Sequence, residues 1–199
     1  MKVIIMSNKV NIKPRAVMYP APAVIASAYD ENGRADACTL AFATMCSHFP
    51  PCIMIAINST AKRKTLKDIL ERKEFELGFP NVEQIAQTDY LGIVSGYDED
   101  KIKKVSFTIS QAKKVNAPII NELRVSLECK VVNIIEVGSH TQITGEIVNI
   151  VADEEVLDEN DRISLELLRP IVYDDVLYDY FEVGQKIEDA FNFGLKFKD

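Results

Sequence analysis

Apolar and polar positions alternate along much of the chain, and where the alternation stops a turn or a helix is expected. Residues 24–29 read as a strand, and Asn32-Gly33 just beyond them is a strong hairpin-turn signal. A returning strand over 37–45 is rich in small residues. Such residues let another group approach the backbone, or serve only for tight packing on a neighbouring strand. Pro50-Pro51 is expected to interrupt strand pairing, because neither residue can donate a backbone N–H. The continuous apolar run 53–57 predicts a strand buried on both faces. Leu66, Ile69 and Leu70 then recur at helical spacing, so a helix is expected to start between Ala61 and Lys64 and to run to about Lys73. Residues 74–79 form a further strand, closed by Pro80.

Asn81 and Gln84 resemble a capping box and predict a second helix with Val82, Ile85 and Ala86 on its buried face. The charged stretch 98–104 suits a short helix. Residues 124–131 alternate, with Val125, Leu127, Cys129 and Val131 inward and Arg124, Ser126, Glu128 and Lys130 outward, as in a half-buried strand. Gly138-Ser139 permits a turn, after which 140–151 pairs back as a hairpin. The acidic stretch 153–161 reads as a solvated surface loop. Beyond it Tyr173, Tyr178, Tyr180, Phe181, Phe191, Phe193 and Phe197 crowd together, packing on a second subunit or within their own. Hairpins in succession with a few inserted helices predict a mainly β fold, an antiparallel barrel covered by helices.

Composition narrows the function classes. One domain suffices for 199 residues. A net charge of −7 argues against a broad nucleic-acid surface. No apolar run approaches the ~20 residues needed to span a bilayer. The apolar block at residues 3–6 is too short for a signal peptide, so the cytoplasm is expected. The cysteines Cys38, Cys46, Cys52 and Cys129 form no C-x-x-C pair and, even with His48 nearby, match no familiar zinc spacing. Small buried hydrophobes are the commoner role for such residues, and no metal is expected.

The chemistry concentrates between Thr39 and Thr65. Asn58, Ser59 and Thr60 end the apolar run, and Lys62, Arg63 and Lys64 follow where a helix begins. A helix N-terminus already carries partial positive charge, so three cations are badly placed there unless an anion joins them. With the hydroxyl of Thr65 and the free N–H groups of the first turn, they suit a phosphomonoester. A solvated basic face is the competing account. The stretch Ala41, Phe42, Ala43, Thr44, Met45, Cys46 and Ser47 offers a backbone edge on which a flat ring can lie, or a β-bulge with no ligand. His140 opens a strand, either facing a cofactor or exposed in its hairpin. No G-x-G-x-x-G, P-loop or G-x-S-x-G motif supports a Rossmann site, an NTPase or a serine hydrolase.

These pieces together resemble the flavin reductase-like family, with its FMN-binding split barrel, and its flavoredoxin branch in particular. The resemblance rests on Thr39-Leu40-Ala41, Ser47-His48-Phe49-Pro50-Pro51, Asn58 and Lys64-Thr65. It continues through Asp98, Asp100 and Lys101, the stretches 117–122 and 127–131, Gly138-Ser139-His140 and Gly145-Glu146-Ile147, covering about 14–195. It implies bound FMN, with the isoalloxazine along 41–47 beside Thr39 and the phosphate held by 58–65. It also implies a homodimer whose interface helps form the flavin site. Hydride from NADH or NADPH, or electrons from a redox partner protein, would pass through the flavin to an acceptor, with the cofactor carrying the chemistry. Members with Gly-Asp-His place that histidine near the nicotinamide. Ser139 replaces the acidic residue here, as in the flavoredoxin branch, which leaves that role of His140 open. A flavin-binding protein without catalysis and a β-barrel interaction module are the alternatives.

Overall fold

The computed structural model describes residues 8–198, so the apolar block at 3–6 lies outside the described residues. The N-terminal half holds β1 (Ala21–Pro22), β2 (Val24–Tyr29), β3 (Ala35–Leu40), β4 (Ala43–His48), β5 (Pro51–Asn58), α1 (Lys64–Arg72), β6 (Glu74–Gly78) and α2 (Ile85–Ile93). It is followed by α3 (Lys101–Lys104), β7 (Ile109–Gln111), β8 (Pro118–Ile120), β9 (Val125–Val137), β10 (His140–Ala152), α4 (Leu165–Leu168), β11 (Ile171–Asp174) and β12 (Asp179–Glu182). Among the described residues no helix is long and apolar enough to cross a membrane.

Seven strands form one antiparallel sheet in the order β3-β2-β6-β9-β10-β5-β4. Its two edge strands, β3 and β4, are neighbours in the chain, joined only by Ala41 and Phe42. So short a link cannot cross a flat seven-stranded sheet, whose strands lie about 4.8 Å apart. The sheet therefore curls until its edges meet, and the Ala56 N–H donates to the Phe42 carbonyl at 2.9 Å near the seam. This is the expected barrel, left split at β3 and β4. Inside it pack Val24, Ala26, Ile53, Ile55, Ile57, Phe75, Leu77, Leu127 and Ile143, with Leu66 and Ile69 of α1 joining them. Gly145 lets Phe75 fit, since a Cβ there would stand 2.6 Å from the Phe75 ring. A second cluster of Ile25, Ala37, Leu91, Ile102, Phe107, Ile120 and Leu123 packs α2, α3 and β8 against the outside of β2 and β3.

Several expectations change. The strand over 37–45 is two strands, because the chain changes sheet edge at Ala41 and Phe42. Pro51 does not end pairing but opposes His48 at the mouth of the β4–β5 hairpin, where no ladder donor is required of it. The strand after it is buried on one face only: Ile53, Ile55 and Ile57 enter the core, while Met54 and Ala56 are half-buried on the other side. The capping box at Asn81 forms as expected, but it starts the 3-10 turn Val82–Gln84 ahead of α2. That tighter turn shifts the helical face, so Thr88 and Leu91 are buried and Ile85 is exposed.

Ser126 and Glu128, expected outward, are buried. The segment 113–117 lies over them and donates the Lys113 and Lys114 N–H groups to the Glu128 carboxylate. The acidic stretch 153–161 is not wholly solvated, because Val156 is fully buried against Val125 and Leu168. Tyr173 and Tyr180 are paired residues of the β11–β12 hairpin, whereas Phe191, Phe193 and Phe197 are exposed.

Candidate functional site

The seam between β3 and β4 is flanked by two clefts that share Ala41. One, of about 250 Å³, is walled by Phe42, Ala43, Thr44, Met54, Ala56 and Gln142, with Ala16, Val17 and Met18 across from them. The other, of about 330 Å³, lies between Thr39, Ala41, Asp89, Gly92 and three tyrosines, Tyr173, Tyr178 and Tyr180. The Thr39 hydroxyl donates to the Thr88 carbonyl, so that side chain anchors α2 to β3. Met45, Cys46 and Ser47 continue along the exposed edge strand β4, beyond the residues that line the first cleft.

Past the cleft, β5 ends at Asn58, and the next residues turn tightly into α1. The Asn58 carboxamide oxygen accepts from the Thr60 N–H at 2.9 Å, the Thr60 hydroxyl at 2.7 Å and the Ala61 N–H at 3.1 Å. Asn58 therefore shapes this loop from within. Ser59 ties the loop to the β9–β10 turn by donating its N–H and its hydroxyl to the Ser139 carbonyl. Lys62 takes the left-handed conformation, at φ 47°. Arg63 is the N-cap of α1 and supplies no side-chain cap, so the first-turn N–H groups keep their bonding capacity. Lys62 and Arg63, with Ser59, Lys67 and Tyr97, line an open groove beside the helix.

Two of the sequence-predicted ligands are turned inward. Lys64 bridges Asp68 at 2.8 Å and Asp30 at 3.2 Å, with its side chain only 11% exposed. Burial pulls the Lys64 pKa down, but these carboxylates outweigh it and hold the ammonium above its usual value. Burial drives the Asp68 carboxyl upward, and Asp36 and Asp30 add to the shift against the pull of Lys64. Thr65 is fully buried and donates its hydroxyl to Asp36 at 2.6 Å. Of the three cations that seemed to need an external anion, Lys64 already has internal ones. Lys62 and Arg63 form no ion pair among the described residues and are the two cations left for an external anion.

His140 joins the two halves of the site. It opposes Asn58 across the β5–β10 pair. Its ring stacks on Phe42 at 5.0 Å between centroids and 21° between planes, and its Nδ1 lies 2.9 Å from the Ser139 hydroxyl. The histidine thus spans from the 58–63 loop to the first cleft.

Sequence reasoning missed the tyrosine wall. The tail aromatics are dense in the sequence, but nothing local places Tyr173 and Tyr180 against Ala41. They pair across β11 and β12, which dock through β1. The Tyr180 hydroxyl donates to Asp89 at 3.2 Å, and burial together with that carboxylate pushes its pKa up to about 12.

Comparison with known proteins places this architecture. The fold superposes on the flavoredoxin of Desulfovibrio vulgaris (Miyazaki F) with a TM-score of 0.88 and 30% identity, covering 94% of this chain and 99% of that one. It superposes on flavoredoxin from Methanosarcina acetivorans with a TM-score of 0.89 and 26% identity, covering 96% and 99%. An uncharacterised protein of Archaeoglobus fulgidus is 36% identical over 104 residues, 52% of this chain and 58% of that protein, so the match spans less than two thirds of that relative's length. Residues 16–181 match the flavin reductase like domain, and the chain belongs to that family.

Proposed function

We propose that this protein binds FMN and works as an oxidoreductase of the flavin reductase or flavoredoxin type. One juxtaposition carries this reading: an apolar cleft of about 250 Å³ meets a basic, uncapped helix start through the His140–Phe42 stack. Ala56 of the cleft and Asn58 of the loop are two residues apart on one face of β5, roughly 7 Å. That separation suits the ribityl chain between ring and phosphate.

The residues fit the cofactor. Phe42, Thr44, Met54 and Ala56 would hold the ring, with Ala41, Ala43 and the neighbouring Met45, Cys46 and Ser47 edge supplying backbone groups. Lys62, Arg63 and the free N–H groups of α1 would hold the phosphate. When bound, the flavin supplies two-electron redox chemistry. The chain's own part is to orient the ring, keep water off its apolar face and neutralise the phosphate. Lys64 acts at one remove, fixing the helix start through Asp30 and Asp68.

We assign NADH, NADPH or a redox partner protein as electron donor, and a homodimer as the working form. Val132, Ile135 and Val137 are about half exposed on β9, which supports an apolar subunit contact. Sedimentation of the wild type as a dimer, and of Ile135→Glu as a monomer, tests the assembly.

FMN titration followed by quenching of flavin fluorescence tests the site. Lys62→Glu with Arg63→Glu should weaken binding at least about tenfold, since each charge-assisted bond to phosphate is worth more than a neutral one. Riboflavin, lacking the phosphate, should bind less tightly than FMN. Equal affinity for both flavins, or an unchanged FMN affinity in the double variant, would overturn the phosphate assignment. Anaerobic bleaching of the bound flavin by NADH or NADPH separates a reductase from a carrier, which only a protein donor would bleach.

A further inference from the structure

The β4–β5 hairpin has one irregularity, and a cysteine sits at it. Residue numbers of paired positions run in constant register from Ala43↔Ile55 to Met45↔Ile53, then shift by one at Ser47↔Cys52. Cys46 is the extra residue, so Cys46 and Ser47 together face Cys52 across a β-bulge. Cys52 shares its face of β5 with Met54 and Ala56, which line the first cleft. The Cα spacing of an opposed antiparallel pair, about 4.5–5.5 Å, belongs to Ser47 and Cys52; Cys46, beside Ser47 in the bulge, is the second residue facing Cys52, and a disulfide spans roughly 4.4–6.8 Å.

We propose that Cys46 and Cys52 are a dithiol that hydrogen peroxide closes to a cross-strand disulfide, pinning edge strand β4 to β5 beside the cleft. The inference does not depend on flavin binding.

The two thiols differ in the way such chemistry requires. Cys46 is exposed and Cys52 is buried. Burial pushes the Cys52 thiol up, and Cys46 and Glu146 push it further. Cys46 is therefore the attacking sulfur and Cys52 the resolving one. The Cys46 thiolate attacks one peroxide oxygen, the O–O bond breaks, and Cys46 becomes a sulfenic acid as one water leaves. The Cys52 sulfur then attacks the Cys46 sulfur, the S–S bond forms, and the hydroxyl leaves as a second water. Two thiols lose two electrons and two protons, and the peroxide is reduced to two waters. A small dithiol such as dithiothreitol reverses the step by taking up the disulfide. The other two cysteines stand apart: Cys38 and Cys129 lie in the barrel core, where burial raises both thiols.

Alkylation after peroxide treatment tests this on the full chain. Trypsin releases residues 35–62 as one peptide carrying Cys38, Cys46 and Cys52. The expected product is that peptide short of two hydrogen atoms and alkylated at Cys38 alone, with alkylation of all its thiols restored by dithiothreitol. In Cys46→Ser, Cys52 should stay alkylatable under the same treatment. In Cys52→Ala, Cys46 should proceed to sulfinic acid. Wild type with Cys46 at sulfinic acid and Cys52 alkylated would overturn the proposal. So would a Cys46 bridge between chains, or a bond from Cys52 to Cys129. The disulfide should also raise the wild-type melting temperature, and neither variant should show that rise.

Discussion

Two buried acidic clusters hold their carboxylates with different partners, ammonium groups in one and amide groups in the other. Beneath α1, Asp36 receives the Thr65 hydroxyl and lies 3.5 Å from the Lys101 ammonium, which also donates to the Ala37 carbonyl. Asp68 has Lys64. Beneath the 113–117 segment no cation among the described residues pairs with Glu128 or Glu76. Glu128 is held by the Asn149 side-chain amide and by the Lys113 and Lys114 N–H groups. Glu76, opposite it on β6, has no hydrogen-bond partner for either oxygen among the described residues. Burial, then the charge of Glu128, pushes Glu76 to about 8. Burial alone would raise Glu128 too, but its amide donors outweigh that and hold it below the usual carboxylate range. Amide donors hold Glu128 below the usual range, whereas burial carries Glu76, and also Asp68 beside its single lysine, above it.

Removing one member of the α1 cluster gives the largest effect. Asp36→Ala leaves Lys101 buried without its carboxylate and should cost about 3–5 kcal/mol, read as a lower midpoint in urea. Glu76→Gln should act in the other direction. Between the ordinary value of 4.5 and about 8, native Glu76 keeps a proton that the unfolded chain releases, so its contribution to stability falls as pH rises. The glutamine variant lacks that fall and should be more stable than wild type at pH 8 by something on the order of 3 kcal/mol, with the difference vanishing below pH 4. A pH series of denaturation midpoints checks it, and parallel curves for the two proteins would contradict the assignment. Asn149→Ala removes one donor from Glu128 and should cost about 1–2 kcal/mol, while moving Glu128 back toward ordinary titration. Lys62→Ala, at a cation outside both clusters, should change stability by no more than about 0.5 kcal/mol.

The same contrast explains what was legible in the sequence. Local signals held: the Asn32-Gly33 hairpin, the end of α1 at Lys73 and the Asn81–Gln84 box depend on residues a few positions apart. The alternation over 124–131 failed at Ser126 and Glu128 because what covers them arrives from the 113–117 segment, docked also by the Asn116 N–H on Glu74. The candidate site divides along the same line. The 58–63 loop and the 41–44 edge were visible as residue types in order. The inward turn of Lys64 and Thr65 was not, because it depends on Asp30 and Asp36 from the preceding hairpin. The tyrosine wall depends on a pairing of β1 with β11 across some 150 positions, which no local pattern encodes.

The two-residue link at Ala41 and Phe42 also sets the order in which the protein can be built. As the chain leaves the ribosome, the β2–β3 and β4–β5 hairpins emerge first, tethered by that link but not hydrogen-bonded as one sheet. Only β6, β9 and β10 connect them, and the last of these strands ends at Ala152. Until then the apolar faces of the two hairpins are covered only in part, by the helices that pack on β2 and β3, and the barrel core closes when the C-terminal strands arrive.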